Sequence, residues 1–138
     1  MILLVAGGRN YSDKEAVYTA LDTLHHGPYP ILVLITGGCT GADSLASSWA
    51  FENGIQVLTF MADWHTYGKA AGPLRNAKMI REAKALDKNQ HLPMPSEIHA
   101  LLFPGGNGTL DMARQLQRAR IPIISHKETQ EPDTLFLF

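Results

Sequence analysis

Pro104-Gly105-Gly106-Asn107-Gly108-Thr109-Leu110-Asp111 follows an apolar run ending at Phe103 and leads into a helical pattern. It reads as a tight turn from a strand into a helix. Two earlier runs end the same way, at Val5-Ala6-Gly7-Gly8 and at Ile35-Thr36-Gly37-Gly38. Glycine at such a turn permits φ > 0 and lets backbone approach a ligand closely. The helix that follows directs its free N–H groups, and the positive end of its dipole, toward the same point. Several such turns in one small chain predict a phosphate-bearing ligand at the strand C-termini.

Working outward, Ile2–Ala6, Ile31–Ile35, Gln56–Met61, His99–Phe103 and Ile121–Ser125 are short apolar runs rich in branched residues. Such runs suit strands buried on both faces of a parallel sheet. Helical patterns lie between them. Ser12 and Glu15 fit a capping box, and Ala16, Val17, Ala20, Leu21 and Leu24 then mark a buried face that stops at Gly27-Pro28. Ala42, Leu45, Ala46, Trp49 and Ala50 mark a second helix, ended by Asn53-Gly54. A third is expected from Gly72-Pro73, with Leu74, Ala77, Ile80 and Ala83 inward. A fourth runs from about Gly108 to Arg120, with Leu110, Ala113 and Leu116 inward. Ala62–Ala71 reads as a polar and aromatic loop, Asp87–Glu97 as an exposed excursion. The apolar tail Thr134–Phe138 suits an edge strand or a partner contact. Strand and helix alternate throughout, so the expected fold class is α/β. One domain over residues 1–138 would form a Rossmann-like three-layer α/β/α sandwich with a mainly parallel sheet of about five strands.

The 138 residues are 45% hydrophobic and 18% charged, an ordinary globular balance, with a net charge of −1 and pI near 6.6. Binding nucleic acid through phosphates usually needs a basic surface, so this balance disfavours a nucleic-acid partner. One cysteine excludes an internal disulfide and fits a reducing cytosol. The apolar opening Met1–Val5 is too short for a signal segment, and no run reaches membrane-spanning length. The expectation is a cytoplasmic protein without a membrane partner.

In a doubly wound sheet, ligands bind beyond the strand C-termini where the strand order reverses. The first turn offers Gly7, Gly8, Arg9 and Asn10. The second offers Thr36, Gly37, Gly38, Thr40, Gly41 and Asp43, and the fourth Gly105, Gly106, Asn107, Gly108 and Thr109. The plain alternative is that these glycines only make the turns compact. No Gly-Lys-Ser/Thr follows any of them and no Gly-x-Gly-x-x-Gly follows the first strand, which argues against ATP hydrolysis and ordinary NAD-dependent hydride transfer. Arg75, placed in a first helical turn beside Asn76, opposes the macrodipole unless an anion binds there, and its guanidinium suits a phosphate. Trp64, His65 and Tyr67 suit stacking on a base, or packing of their loop. Trp49 lies on an apolar stripe and reads as core. Cys39 has no evident partner base. His25, His26, His91, His99 and His126 lack metal-ligand spacing, so neither a metal nor a required cofactor is expected.

These residues resemble the SLOG superfamily, which joins LOG-type phosphoribohydrolases, DprA and YpsA-like proteins. The nearest resemblance is to the YspA/YpsA-related branch, DUF2493. Gly7-Gly8-Arg9-Asn10-Tyr11-Ser12-Asp13 matches its opening motif, and Gly41-Ala42-Asp43 its Gly-Ala-Asp segment. Trp64, Gly68, Ala71, Gly72, Arg75, Asn76 and Met79 match a third motif, and Pro104–Thr109 the Pro-Gly-Gly-x-Gly-Thr turn. The resemblance reaches about Ser125 and implies binding of a nucleotide or nucleotide-derived small molecule, by a sensor or processing protein. It also implies two alternatives, LOG-like cleavage of a base–ribose bond and DprA-like single-stranded DNA binding, as well as self-association into a homo-oligomer. LOG enzymes pair the helix arginine, here Arg75, with a glutamate whose position falls on Met112. Asp111 precedes it, about 100° away around a helix. Asp111 and Asp43 are therefore the candidate catalytic carboxylates, each with helix N-terminal stabilisation as the alternative role.

Overall fold

A computed structural model describes residues 1–89 and 97–126. The chain runs β1 (Ile2–Ala6), α1 (Lys14–His25), β2 (Val33–Thr36), α2 (Ala42–Glu52) and β3 (Gln56–Thr59). It continues through a one-turn α3 (Trp64–Tyr67), a 3-10 turn (Gly68–Ala70) and the long α4 (Ala71–Asn89). β4 (Ile98–Leu102), α5 (Asn107–Arg118) and β5 (Ile123–Ser125) complete the described fold. The five strands form one parallel sheet in the order β3-β2-β1-β4-β5. This is the expected Rossmann-like α/β architecture.

Side chains alternate across a strand, so a run buried on both faces must feed two cores. Leu3, Val5, Leu34, Leu101 and Phe103 pack beneath Val17, Leu21, Ala46 and Trp49 of α1 and α2. Ile2, Leu4, Val33, Ile35 and Ala100 pack against Met79, Ala83, Met112 and Leu116 of α4 and α5. Trp49 is core, as expected, and its indole N–H donates to Asp22 at 2.8 Å.

Several local expectations are corrected. Asp13, not Ser12, caps α1, because its carboxylate is the group that accepts the Ala16 N–H, at 3.0 Å. Ala62–Ala71 is no simple loop: Asp63 accepts from Thr66 N and starts α3, and α4 begins at Ala71, ahead of Gly72-Pro73. Pro73 is tolerated there because the first turn needs no intrahelical donor. Leu74 and Leu110 point outward, 50% and 49% exposed, since the inward stripes are centred on Asn76–Met79–Ile80 and on Met112–Leu116. The expected excursion at Asp87–Glu97 opens as helix, because α4 runs on to Asn89. His91 and the tail Thr134–Phe138 lie outside the described residues. Among the described residues no helix is long and apolar enough to cross a membrane.

Candidate functional site

From β1 the chain steps outward to β2 and β3, then returns through α4 to place β4 on the other side of β1. The connections leaving β1 and β4 therefore diverge to opposite faces and leave a crevice between them. A cavity of about 560 Å³ occupies it. Gly7, Gly8 and Arg9 line it from the first turn, and Gly37, Cys39 and Asp43 from the second. Gly72, Arg75, Asn76 and Met79 of α4 and Gly106, Asn107, Gly108, Thr109 and Asp111 at the start of α5 close the other sides.

Most of the glycines serve contact between turns. A Cβ on Gly7 would lie 2.6 Å from the Ala42 Cβ and 2.9 Å from the Phe103 Cβ. One on Gly41 would collide with the Gly8 carbonyl, and φ at Gly41 is +77°, a region that disfavours any side chain. Gly105 sits equally tightly against Thr109 and Gly8, and Gly37 against the Arg75 guanidinium. Backbone bonds bind the turns together: Gly8 N donates to Pro104 O at 2.8 Å, and Gly8 O accepts from Tyr11 N and Ala42 N. Gly106 and Gly108 differ. Neither has positive φ, both line the cavity, and a Cβ on either would meet only open space.

Arg75 is the fifth residue of α4, just past the expected first turn, since the helix starts at Ala71 rather than at Gly72-Pro73. Its Nη1 donates to Gly37 O at 2.7 Å and lies 3.6 Å from Cys39 Sγ, and its Nε donates to Asn76 Oδ1 at 3.0 Å. These bonds hold the guanidinium across the second turn, and among the described residues its Nη2 has no protein partner. Asp43, 5% exposed, sits under the same turn and accepts from Gly37 N at 3.1 Å and Cys39 N at 3.2 Å through Oδ2. Its Oδ1 is buried without a partner among the described residues. Burial pushes the Asp43 carboxyl above its ordinary range, against the opposing pull of the Cys39 N–H, the Arg75 charge and the Gly37 N–H.

Asn76, 3% exposed, donates to Gly108 O at 3.2 Å and to Asp111 Oδ2 at 3.0 Å. Gln115 also donates to Asp111 Oδ2, at 2.8 Å. Asn76 and Asp111 thus bracket α4 to the start of α5, which fixes the fourth turn relative to Arg75. Met112 is 1% exposed and faces the core, so the position of the LOG glutamate is turned away from the cavity. At the mouth, the Arg9 guanidinium lies 5.0 Å from the centre of the Trp64 ring.

Of the sequence candidates, Thr36, Gly38, Thr40, Gly41, Gly105 and Tyr67 do not line the cavity. Thr40 Oγ1 donates to Arg9 O at 3.0 Å, Gly38 packs on Thr59 and Met61, and Tyr67 is 55% exposed. Cys39 and Lys69 line it without having been sequence candidates for binding. The signal for Lys69 was its place between Gly68 and Gly72 in the third motif. The lining brings together three cations (Arg9, Lys69, Arg75) and two carboxylates (Asp43, Asp111), an excess suited to an anion.

The sequence model of the YspA, cpYpsA-related SLOG family matches residues 1–67. The Gene 61 protein of Mycobacterium phage D29 is 37% identical over 131 residues, covering 89% of this chain and 94% of that protein. Among solved structures, DNA processing protein A (DprA) from Streptococcus pneumoniae superimposes with a TM-score of 0.48 at 16% identity. That alignment covers 94% of this chain but only 60% of the DprA chain. By its sequence relationships, the chain belongs to the YspA, cpYpsA-related SLOG family.

Proposed function

We propose that the protein binds a nucleotide or nucleotide-derived molecule in this crevice, phosphate toward Gly106–Thr109 and Arg75, ribose toward Asp43. The observation that carries the reading is the open space at Gly108. Gly106 is the N-cap of α5, a position that accepts glycine in its own right. Gly108 stands inside the helix, where glycine costs about 0.5–1 kcal/mol relative to alanine and no contact or positive φ requires it. A ligand that approaches the α5 N-terminus closely supplies the reason, and the N–H groups there favour an anion. Arg75 adds a cation already held in place, so little side-chain freedom is lost on binding. The orphan Oδ1 of Asp43 suits a ribose hydroxyl, because an unpaired buried oxygen otherwise carries a desolvation penalty. Trp64 offers a face to the base, with Arg9 as its competitor or partner.

Titration calorimetry with nucleoside mono- and diphosphates and ADP-ribose tests this. Arg75→Ala is expected to weaken the best ligand at least about tenfold, the size of one charge-assisted contact. Unchanged affinity would remove Arg75 from the phosphate site. Hydrolysis of the base–ribose bond is the second reading, supported by Asp43, a cavity-lining carboxyl whose burial raises its pKa and so favours its holding a proton. Release of free base from a bound nucleotide, lost in Asp43→Asn, would establish it. Binding without release leaves the protein a receptor.

A further inference from the structure

The net charge of −1 conceals a strong segregation. Helices α1 and α2 carry one Lys or Arg against four Asp or Glu, whereas α4 and α5 carry seven against three. On α4, successive residues turn about 100°, so Lys78, Arg81, Lys84 and Lys88 share roughly one third of the circumference. That sector is opposite the buried Met79, Ile80 and Ala83, and all four cations are exposed. On α5, Arg114 and Arg118 stand one turn apart, opposite the buried Met112 and Leu116. Arg120 follows with φ +58°, a helix-end position that usually holds glycine. Among the described residues, none of these seven cations is paired with a carboxylate.

From this arrangement we infer that the outer face of α4 and α5 binds the phosphate backbone of duplex nucleic acid, without reading its sequence. The α4 cations rise along the axis in steps of about 4.5–6 Å. α5 packs directly beside α4, and the axes of helices in contact usually lie about 8–10 Å apart. Together they present an extended positive strip to a duplex backbone, which carries one negative charge per about 1.7 Å of its axis. A single strand would need aromatic platforms for its bases, and neither α4 nor α5 contains a Phe, Tyr or Trp. This surface lies outside the nucleotide crevice, and the inference does not depend on it. The near-neutral composition is the average of an acidic layer and a basic one.

Fluorescence anisotropy of a labelled duplex of about 20 base pairs, titrated between about 50 and 200 mM salt, provides the test. The intact protein is expected to bind with a steep salt dependence. R81E/K84E/R118E is expected to weaken binding at least about thirtyfold at low salt and to flatten the log–log salt slope by about 2–3. R81Q/K84Q/R118Q, which adds no repulsion, should move both readings in the same direction by less, and keeps the test open if the triple reversal misfolds. Lys14→Gln, on the opposite layer, should change neither. Absence of duplex binding at low salt overturns the inference, as does binding by both triple variants that equals that of the intact protein. A preference for single strands or for phosphatidylserine vesicles, or a salt-sensitive self-association removed by the same changes, likewise overturns it.

Discussion

The two glycine turns that flank the crevice use the same residue for opposite ends. In the turn after β2, Gly37 and Gly41 are hemmed in by Arg75 and by the Gly8 backbone, and Gly41 holds φ +77°. In the turn after β4, Gly106 and Gly108 border open space; Gly106 serves as the N-cap of α5, and Gly108, inside the helix, has no conformational need for glycine. The turn after β2 is finished by the protein itself, down to the carboxylate of Asp43 beneath it. The turn after β4 is left open at Gly108. Glycine-rich motifs are commonly credited to ligand approach as a whole, yet of the glycines in these two turns only Gly108 invites that explanation.

Alanine substitutions break the comparison most sharply. Gly41→Ala places a Cβ into the Gly8 carbonyl at a positive φ, and should cost about 2–4 kcal/mol in urea-induced unfolding. Gly108→Ala should move stability the other way, raising it by up to about 0.5–1 kcal/mol by helix propensity, while nucleotide affinity falls. Loss of stability in Gly108→Ala, or retention of full affinity, would make the two turns alike. The smallest effect concerns the closed turn. A carboxyl whose folded pKa is raised contributes stability below its unfolded pKa of about 3.9, and loses it as pH rises through the folded value. Burial raises Asp43 in this way, so the wild type should lose stability relative to Asp43→Asn as pH rises from about 4 toward neutrality. Parallel profiles for the two proteins would mean that Asp43 is not raised.

Much of this was legible in the residues. The bounds of β1, the alternation of strand and helix, and three turns at one edge followed from apolar runs and glycine pairs. Two helical faces were misjudged at Leu74 and Leu110, because hydrophobicity alone marked them inward. The structure turns Asn76 inward instead, a polar residue whose burial is sustained by bonds to Gly108 O, Asp111 and Arg75. Such a bracket joins residues more than thirty positions apart, and no local pattern encodes it. The basic face escaped notice for a different reason, since charges separated by the sheet cancel in a sum over the chain.

The bond from Gly8 N to Pro104 O has a consequence for how the protein is made. It ties the first turn to one synthesised far later, and β1 has its β4 neighbour only once that later stretch exists. Contacts so distant in sequence are slow to form, and a nascent chain generally gains structure from its N-terminus onward. Until residues beyond Pro104 emerge from the ribosome, the central strand keeps an open apolar edge and the crevice has one wall missing. The crevice is therefore complete only late, as a property of the finished sheet rather than of any segment.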